Sequence, residues 1–354
     1  MGGLKMAEPS QTPKEYVFSF GPWNIHEGAD PFGPAVRPTV AFANKLGMYK
    51  KMGFDGIQFH DDDVVPGIMG KSPDQVRKDA IGVYRMIQDK GLTAEFVAPR
   101  LWEDPKTIHG AYTSNVEEHR RYALERTKRA LDVADAVEAT KMVLWLAREG
   151  TYFREAKDPI QAHGYLVDAI NGILDYHPTI RILIEPKPNE PMDQSYIPTM
   201  GHAIAIGYRT KDPIRVGGLV ESAHSILAGL DPSDEMAFAL SYGKLWSVHL
   251  NDQDGLKFDQ DKAFGSVNLR RACNQVKVLE QSQFGLTSEM VGLDVKAMRT
   301  QPAEVATQHL ANSRQTFLYL VDKVRSFDWK AANGLAVTNP EQLEQMIVRH
   351  ILGS

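Results

Sequence analysis

Four residues that could ligate a cation stand far apart in the chain, yet each closes a short apolar run. They are Glu185 in Ile184-Glu185-Pro186-Lys187, Glu221 after Val220, His249 in Val248-His249-Leu250, and Asp294 after Leu293. If their elements lie side by side, carboxylate oxygens with at most one imidazole would face one spot. That donor set suits Mg²⁺, Mn²⁺ or Co²⁺, because hard ions prefer oxygen. His224 follows Glu221 by three residues, and Asp259 and Asp261 stand two apart in a loop-like stretch. With Glu221 as a bridge, these three would make a second site adjoining the first. Two neighbouring ions can clamp the oxygens of a substrate and stabilise a developing alkoxide.

Each signal alone has a plainer explanation. A single Glu at a strand end is mostly solvated or ion-paired, Asp-x-Asp in a loop is mostly a turn, and Glu-x-x-His is common by chance. The weight lies in their coincidence on consecutive elements. A second cluster is Phe59-His60-Asp61-Asp62-Asp63. A carboxylate on one ring nitrogen fixes a histidine's tautomer and strengthens its basicity. Such a pair could open a cyclic sugar by moving a proton between the anomeric hydroxyl and the ring oxygen. An acidic turn with a capping His is the alternative.

The elements needed to hold these residues are legible as short β-rich runs recurring roughly every 35–45 residues, a spacing that suits βα units. The runs are Val17–Phe20, Gly56–His60, Thr93–Ala98, Met142–Leu146, Arg181–Pro186, Val216–Glu221, Leu245–Leu250 and Glu289–Asp294. Between them lie amphipathic helices: Ser72–Lys90 and Asp231–Gly243 begin with a capping residue followed by Pro, and Asn115–Ala139 is expected to be capped by its Asn. Eight strands alternating with helices predict an α/β protein, a (β/α)₈ TIM barrel with its active site at the C-terminal ends of the strands. The barrel should span 15–327, after an N-terminal tail (1–14). A C-terminal tail, 328–354, reads as a turn region plus one helix, Pro340–Leu352.

Composition agrees. The 354 residues are 43% hydrophobic with a formal net charge of −5 and no charge blocks. That balance gives no electrostatic reason to expect nucleic acid or an anionic membrane as partner. No run approaches the ~18 apolar residues of a membrane span, and residues 1–14 lack the apolar stretch of a signal peptide. The single cysteine, Cys273, reads as a buried helical residue and allows no intramolecular disulfide. A cytoplasmic location is expected. Gly70-Lys71-Ser72 matches the end of a P-loop, but Val65 occupies the place of its first glycine.

From Phe18 to about Phe327 the chain resembles the xylose (glucose) isomerases, the shorter actinobacterial type in particular. The motifs are Phe20-Gly21-Pro22-Trp23, Asp30-Pro31-Phe32-Gly33, His60-Asp61-Asp62-Asp63, Trp145 with Arg148-Glu149-Gly150, Glu185-Pro186-Lys187-Pro188-Asn189-Glu190-Pro191, and Lys257-Phe258-Asp259-Gln260-Asp261. The resemblance implies a two-metal aldose–ketose isomerase acting by a hydride shift from C2 to C1. His60 with Asp63 would open the sugar ring, and Lys187 would hydrogen-bond the carbonyl oxygen. Glu185, Glu221, His249 and Asp294 would hold a structural ion, and Glu221, His224, Asp259 and Asp261 a catalytic one. Trp23 and Trp145 would wall the hydride path, and Phe32 would be lent to a neighbouring subunit, in a homodimer or homotetramer.

The chain also departs from that family. His249 replaces an Asp, which makes the site softer and shifts preference towards Mn²⁺ or Co²⁺; ketose 3-epimerases carry a His at this strand end. Ala98 and Arg100 replace Thr and Asn beside the far end of the sugar, where a polar pocket discriminates strongly. Leu146-Ala147 replaces Gly-Gly, and the spacer of Glu221-Ser222-Ala223-His224 differs too. The C-terminal tail is short for an arm embracing a partner. Besides the isomerase, the residues leave open an epimerase or enediol-type isomerase, and a sugar-binding barrel of low activity.

Overall fold

The computed structural model describes residues 15–30, 32–256, 258–286 and 288–353. The expected N-terminal tail (1–14) and the motif residues Pro31 and Lys257 lie outside the described residues. Eight parallel strands close into a barrel: β1 (Phe18–Phe20), β2 (Gly56–His60), β3 (Thr93–Ala98), β4 (Lys141–Trp145), β5 (Arg181–Glu185), β6 (Val216–Glu221), β7 (Leu245–Leu250) and β8 (Val291–Leu293). Each strand pairs with its sequence neighbours, and β8 returns to β1 through Phe18 opposite Val291. These are the eight expected runs: β2, β3, β6 and β7 match them at both ends, and the other strands' ends move by at most two residues.

Local chemistry starts the helices where the sequence suggests. Ser72 accepts from the Gln75 amide ahead of the helix Pro73–Gln88, and Asp231 from the Ser233 amide ahead of Pro232–Ser241. Two expectations need correction. Asn115 does not cap the helix Glu117–Ala136; Val116 takes that position, and the Asn115 side chain donates to the Ala156 carbonyl instead. The stretch after the barrel is not a turn region either. Trp329–Thr338 is helical, because Asp328 caps the Ala331 amide and Trp329 packs on Phe327, its ring centroid 4.6 Å away. Helix Pro340–Leu352 follows as expected. Cys273 is half-buried on the helix Leu269–Ser282. Among the described residues no helix is long and apolar enough to cross a membrane.

The strands bury two kinds of interior. Phe96, Ala98, Val143, Leu183, Leu219 and Trp246 form an apolar cluster capped by Trp23. Beside it lies a polar group: Ser19 of β1, Gln58 of β2, Glu95 of β3 and Ser247 of β7, all fully or almost fully buried. Contacts between β3 and β7 must cross the barrel, since the two strands are not neighbours.

Candidate metal centre

The strand ends deliver the expected residues to one place. All the expected metal ligands, with Trp23, His60, Ala98 and Trp145, line one cavity of about 190 Å³ at the C-terminal mouth of the barrel. β5 ends on Glu185 and β6 on Glu221, and His249 sits one residue before the end of β7. Asp294 immediately follows β8. The helix Ser222–Leu227 begins directly after Glu221 and turns His224 back onto it, with Nε2 3.4 Å from Glu221 Oε2 and 3.1 Å from Asp259 Oδ2.

Three groups of side chains each bring their ligand atoms within 4.8 Å of one another: Glu185, Glu221 and His224; Glu221, His249 and Asp294; and Glu221, Asp259 and Asp261. Glu221 belongs to all three. His249 turns Nδ1 to the centre, 3.2 Å from Glu185 Oε1 and 3.6 Å from both Glu221 Oε2 and Asp294 Oδ2. The donors fit a hard or borderline divalent cation. Two atoms support that fit directly: His224 Nδ1 and Asp259 Oδ1 are buried with no hydrogen-bond partner among the described residues. Such orphans are rare in folded proteins and call for a ligand or ion.

The electrostatics are those of concentrated negative charge. Burial, reinforced by neighbouring carboxylates, pushes Glu221, Asp261 and Asp294 above their ordinary range. Burial acts the same way on Asp259, but Lys187 and His224 outweigh it and hold that carboxyl well below its range. For His224 and His249 burial favours the neutral ring, yet the surrounding carboxylates raise both. Lys187 donates to Asp259 Oδ2 at 2.9 Å and Glu190 Oε2 at 3.0 Å. Lys296, which the sequence reading did not single out, pairs with Asp261 and lines the cavity. Two ammonium groups thus lie on the Asp259–Asp261 side of the centre.

Asn251 and Trp102 join the site without a sequence signature, beside residues that the motifs name. Asn251 donates to both Glu221 Oε1 (2.9 Å) and Asp261 Oδ1 (3.0 Å), fixing two carboxylates at once. Trp23 donates its indole N–H to Asp294 Oδ1 at 2.9 Å and lies tilted over His60, centroids 4.4 Å apart and planes at 36°. Trp102 completes an aromatic wall, edge-on to Trp145 at 4.5 Å. Asp63 and Lys187 stand immediately behind the lining: Asp63 Oδ2 is 3.2 Å from His60 Nδ1 and accepts from the His60 amide at 2.8 Å. Arg100 is not among the residues lining the cavity; its guanidinium is held by Asp62 and Glu103 and reaches His60 Nδ1 at 2.8 Å. Phe32 is 90% exposed on a turn outside the cavity.

Residues 47–282 match the xylose isomerase-like TIM barrel family. The chain belongs to that family. Solved structures with the same fold include a 3-keto-D-glucoside 4-epimerase from E. coli, 16% identical over 85% of this chain and 100% of that one, TM-score 0.61. The IOLI protein, whose structure carries a zinc atom, is 15% identical over 88% of this chain and 99% of that one, TM-score 0.61. A D-psicose 3-epimerase is 10% identical over 86% and 97%, TM-score 0.57. At these identities the likeness concerns the fold; the chemistry of this chain rests on its own side chains.

Proposed function

We propose that this protein is a divalent-metal-dependent sugar isomerase that interconverts an aldose and its ketose by ring opening and a 1,2-hydride shift, with two ions per subunit. The observation that carries this reading is Glu221 standing in all three ligand groups, since a shared carboxylate is what two adjoining ions require. Glu185, Glu221, His249 and Asp294 would hold one ion, and Glu221, His224, Asp259 and Asp261 the other. Bound Mg²⁺, Mn²⁺ or Co²⁺ would supply charge stabilisation for the sugar oxygens as they become alkoxide-like.

The chain's own groups account for the rest. His60 moves the proton that opens the ring, with Asp63 beside its Nδ1. Lys187, an ammonium at the cavity's rear, hydrogen-bonds the carbonyl oxygen as charge develops on it. Trp23, Trp102 and Trp145 keep water from the migrating hydrogen. Ala98 lines the cavity and would meet the far end of the sugar without offering a hydroxyl. The exposed Phe32 fits an aromatic lent to a second subunit of a homodimer or homotetramer.

A second reading, a metal-dependent epimerase or enediol isomerase, is favoured by His249 Nδ1 pointing into the centre. One experiment separates the two. Purified protein is offered pentoses and hexoses with Mg²⁺, Mn²⁺ or Co²⁺, with and without EDTA, in D₂O, and products are identified by NMR. Hydride transfer leaves the migrating hydrogen unexchanged, whereas an enediol route incorporates deuterium. Turnover that resists EDTA would sink both readings.

A further inference from the structure

His249 is a ligand whose usefulness depends on which ring nitrogen carries the proton, and that choice is made inside the barrel. Its Nε2 lies 3.0 Å from Gln58 Oε1. An amide can present either its oxygen or its NH₂ to a ring nitrogen, so this contact alone decides nothing. The far side of Gln58 decides it. Gln58 Nε2 lies 3.0 Å from Glu95 Oε2 and 3.1 Å from Ser19 Oγ, and Ser19 itself donates to Glu95 Oε2. Glu95 Oε1 accepts from Ser247 Oγ at 2.8 Å, with Lys141 Nζ 3.6 Å away. A carboxylate only accepts. Turning the Gln58 amide round would set two acceptors against each other in a buried site and leave Ser19 Oγ without its donor.

We propose that Gln58, oriented by Glu95, is the positioning residue that fixes His249 as the Nε2–H tautomer and so makes Nδ1 the metal ligand. The proposal rests on the metal-centre reading. The chain Ser19–Glu95–Gln58–His249 runs from the polar interior to the floor of the cavity, and every member is nearly or fully buried. Gly292 leaves room for it: a Cβ there would stand 2.6 Å from Gln58 Nε2 and 3.3 Å from His249 Cδ2. A hydrogen-bonded orienter behind a metal-binding histidine typically contributes ~10–100-fold in affinity.

The test compares wild type with Gln58→Met, which keeps length and removes the acceptor, and with Glu95→Gln, which lets the Gln58 amide turn. Mn²⁺ and Cd²⁺ affinities are measured by chelator competition. In ¹⁵N-histidine protein loaded with ¹¹³Cd²⁺, one-bond coupling reports which nitrogen of His249 is bound. Wild type should couple through Nδ1. Both variants should lose roughly 10–100-fold in affinity and lose or weaken that coupling. In a His249→Asp background, Gln58→Met should change affinity little, because a carboxylate has no tautomer to set; a merely structural role would show the same loss there. Variants that bind like wild type, with Nδ1 coupling intact, would overturn the proposal and leave the metal centre standing. A wild type that binds neither cation would overturn both.

Discussion

Arg100 Nη2 lies 2.8 Å from His60 Nδ1, closer than the carboxylate of Asp63, which stands 3.2 Å from the same nitrogen. A guanidinium can only donate, so in this arrangement Nδ1 accepts and the neutral ring carries its proton on Nε2. His60 then offers the ring oxygen an N–H, while taking the anomeric proton needs the lone pair that the Nδ1–H tautomer would expose. Asp62 and Glu103 hold Arg100 in place, at 2.7 and 3.2 Å. Replacing Arg100 with Met should let Asp63 take Nδ1 and move the proton there. We expect kcat/KM for ring-form sugars to rise by about tenfold, a modest part of what general acid–base groups contribute. The His60 ¹⁵N shifts check the cause: an unchanged tautomer pattern in the variant rules this explanation out.

Lys187 has two effects that a single substitution separates. Its ammonium is the nearest cation to Asp259 and, together with His224, outweighs burial in keeping that carboxyl ionised. Lys187→Met removes the donor to the carbonyl oxygen, and kcat should fall by about 10²–10³, the usual loss for such a donor. It also removes a cation that competes with the metal, so Mn²⁺ should bind more tightly. Titration of Mn²⁺ beside steady-state kinetics measures both; weaker binding together with lower kcat would mean that Lys187 merely supports the site.

Because all three ligand groups contain Glu221, metal binding should stabilise the fold and depend on this residue most. At a hundred times its Kd, a cation adds about 2.7 kcal/mol to unfolding, visible as a higher melting temperature with Mn²⁺ than with EDTA. Glu221→Gln should erase that difference and activity with it. Asp294→Asn, which touches one group, should shrink the difference but leave it measurable. An equal response in the two variants would contradict the sharing.

The barrel was legible because each strand is a compact apolar run bounded by helical patterns, and β2, β3, β6 and β7 begin and end where the runs do. The ligands at the strand ends were legible for the same reason: the fold converts the last residue of a strand into a cavity residue. Asn251, Gln58 and Glu95 were not, since a polar residue inside or just beyond a strand carries no sign of which carboxylate or ring it will face. The sign existed only indirectly, in polar residues interrupting runs expected to be buried. Lys296 stands two residues beyond Asp294, and its sequence neighbours give no hint that it crosses to Asp261. Arg100 stands out in the sequence, but its direction depends on Asp62 and Glu103, and spacing alone does not rank those partners above a substrate hydroxyl.

His309 and His26, which are not among the metal ligands, give the fold a further dependence on pH. Burial lowers each to about 4 from an ordinary value of 6.5, helped for His309 by the charge of His26 and for His26 by Lys296 and Arg37. His309 Nδ1 is buried without a partner among the described residues, and His26 Nδ1 accepts from the Gly28 amide at 2.9 Å. Protonation would give the first an uncompensated N–H and set the second against another donor. Below pH 6.5 the unfolded chain takes up these protons while the native protein resists. Unfolding therefore becomes easier as pH falls, and the loss levels off near pH 4, where the native rings protonate as well. His309 should contribute on the order of 2–3 kcal/mol to that loss. His309→Gln keeps a donor for the Asn24 carbonyl, which Nε2 now meets at 3.0 Å, and removes the titration. Urea unfolding in EDTA at pH 7 and pH 4.5 should show a smaller drop for the variant than for wild type. If the two drop equally, the protons that destabilise the fold bind elsewhere.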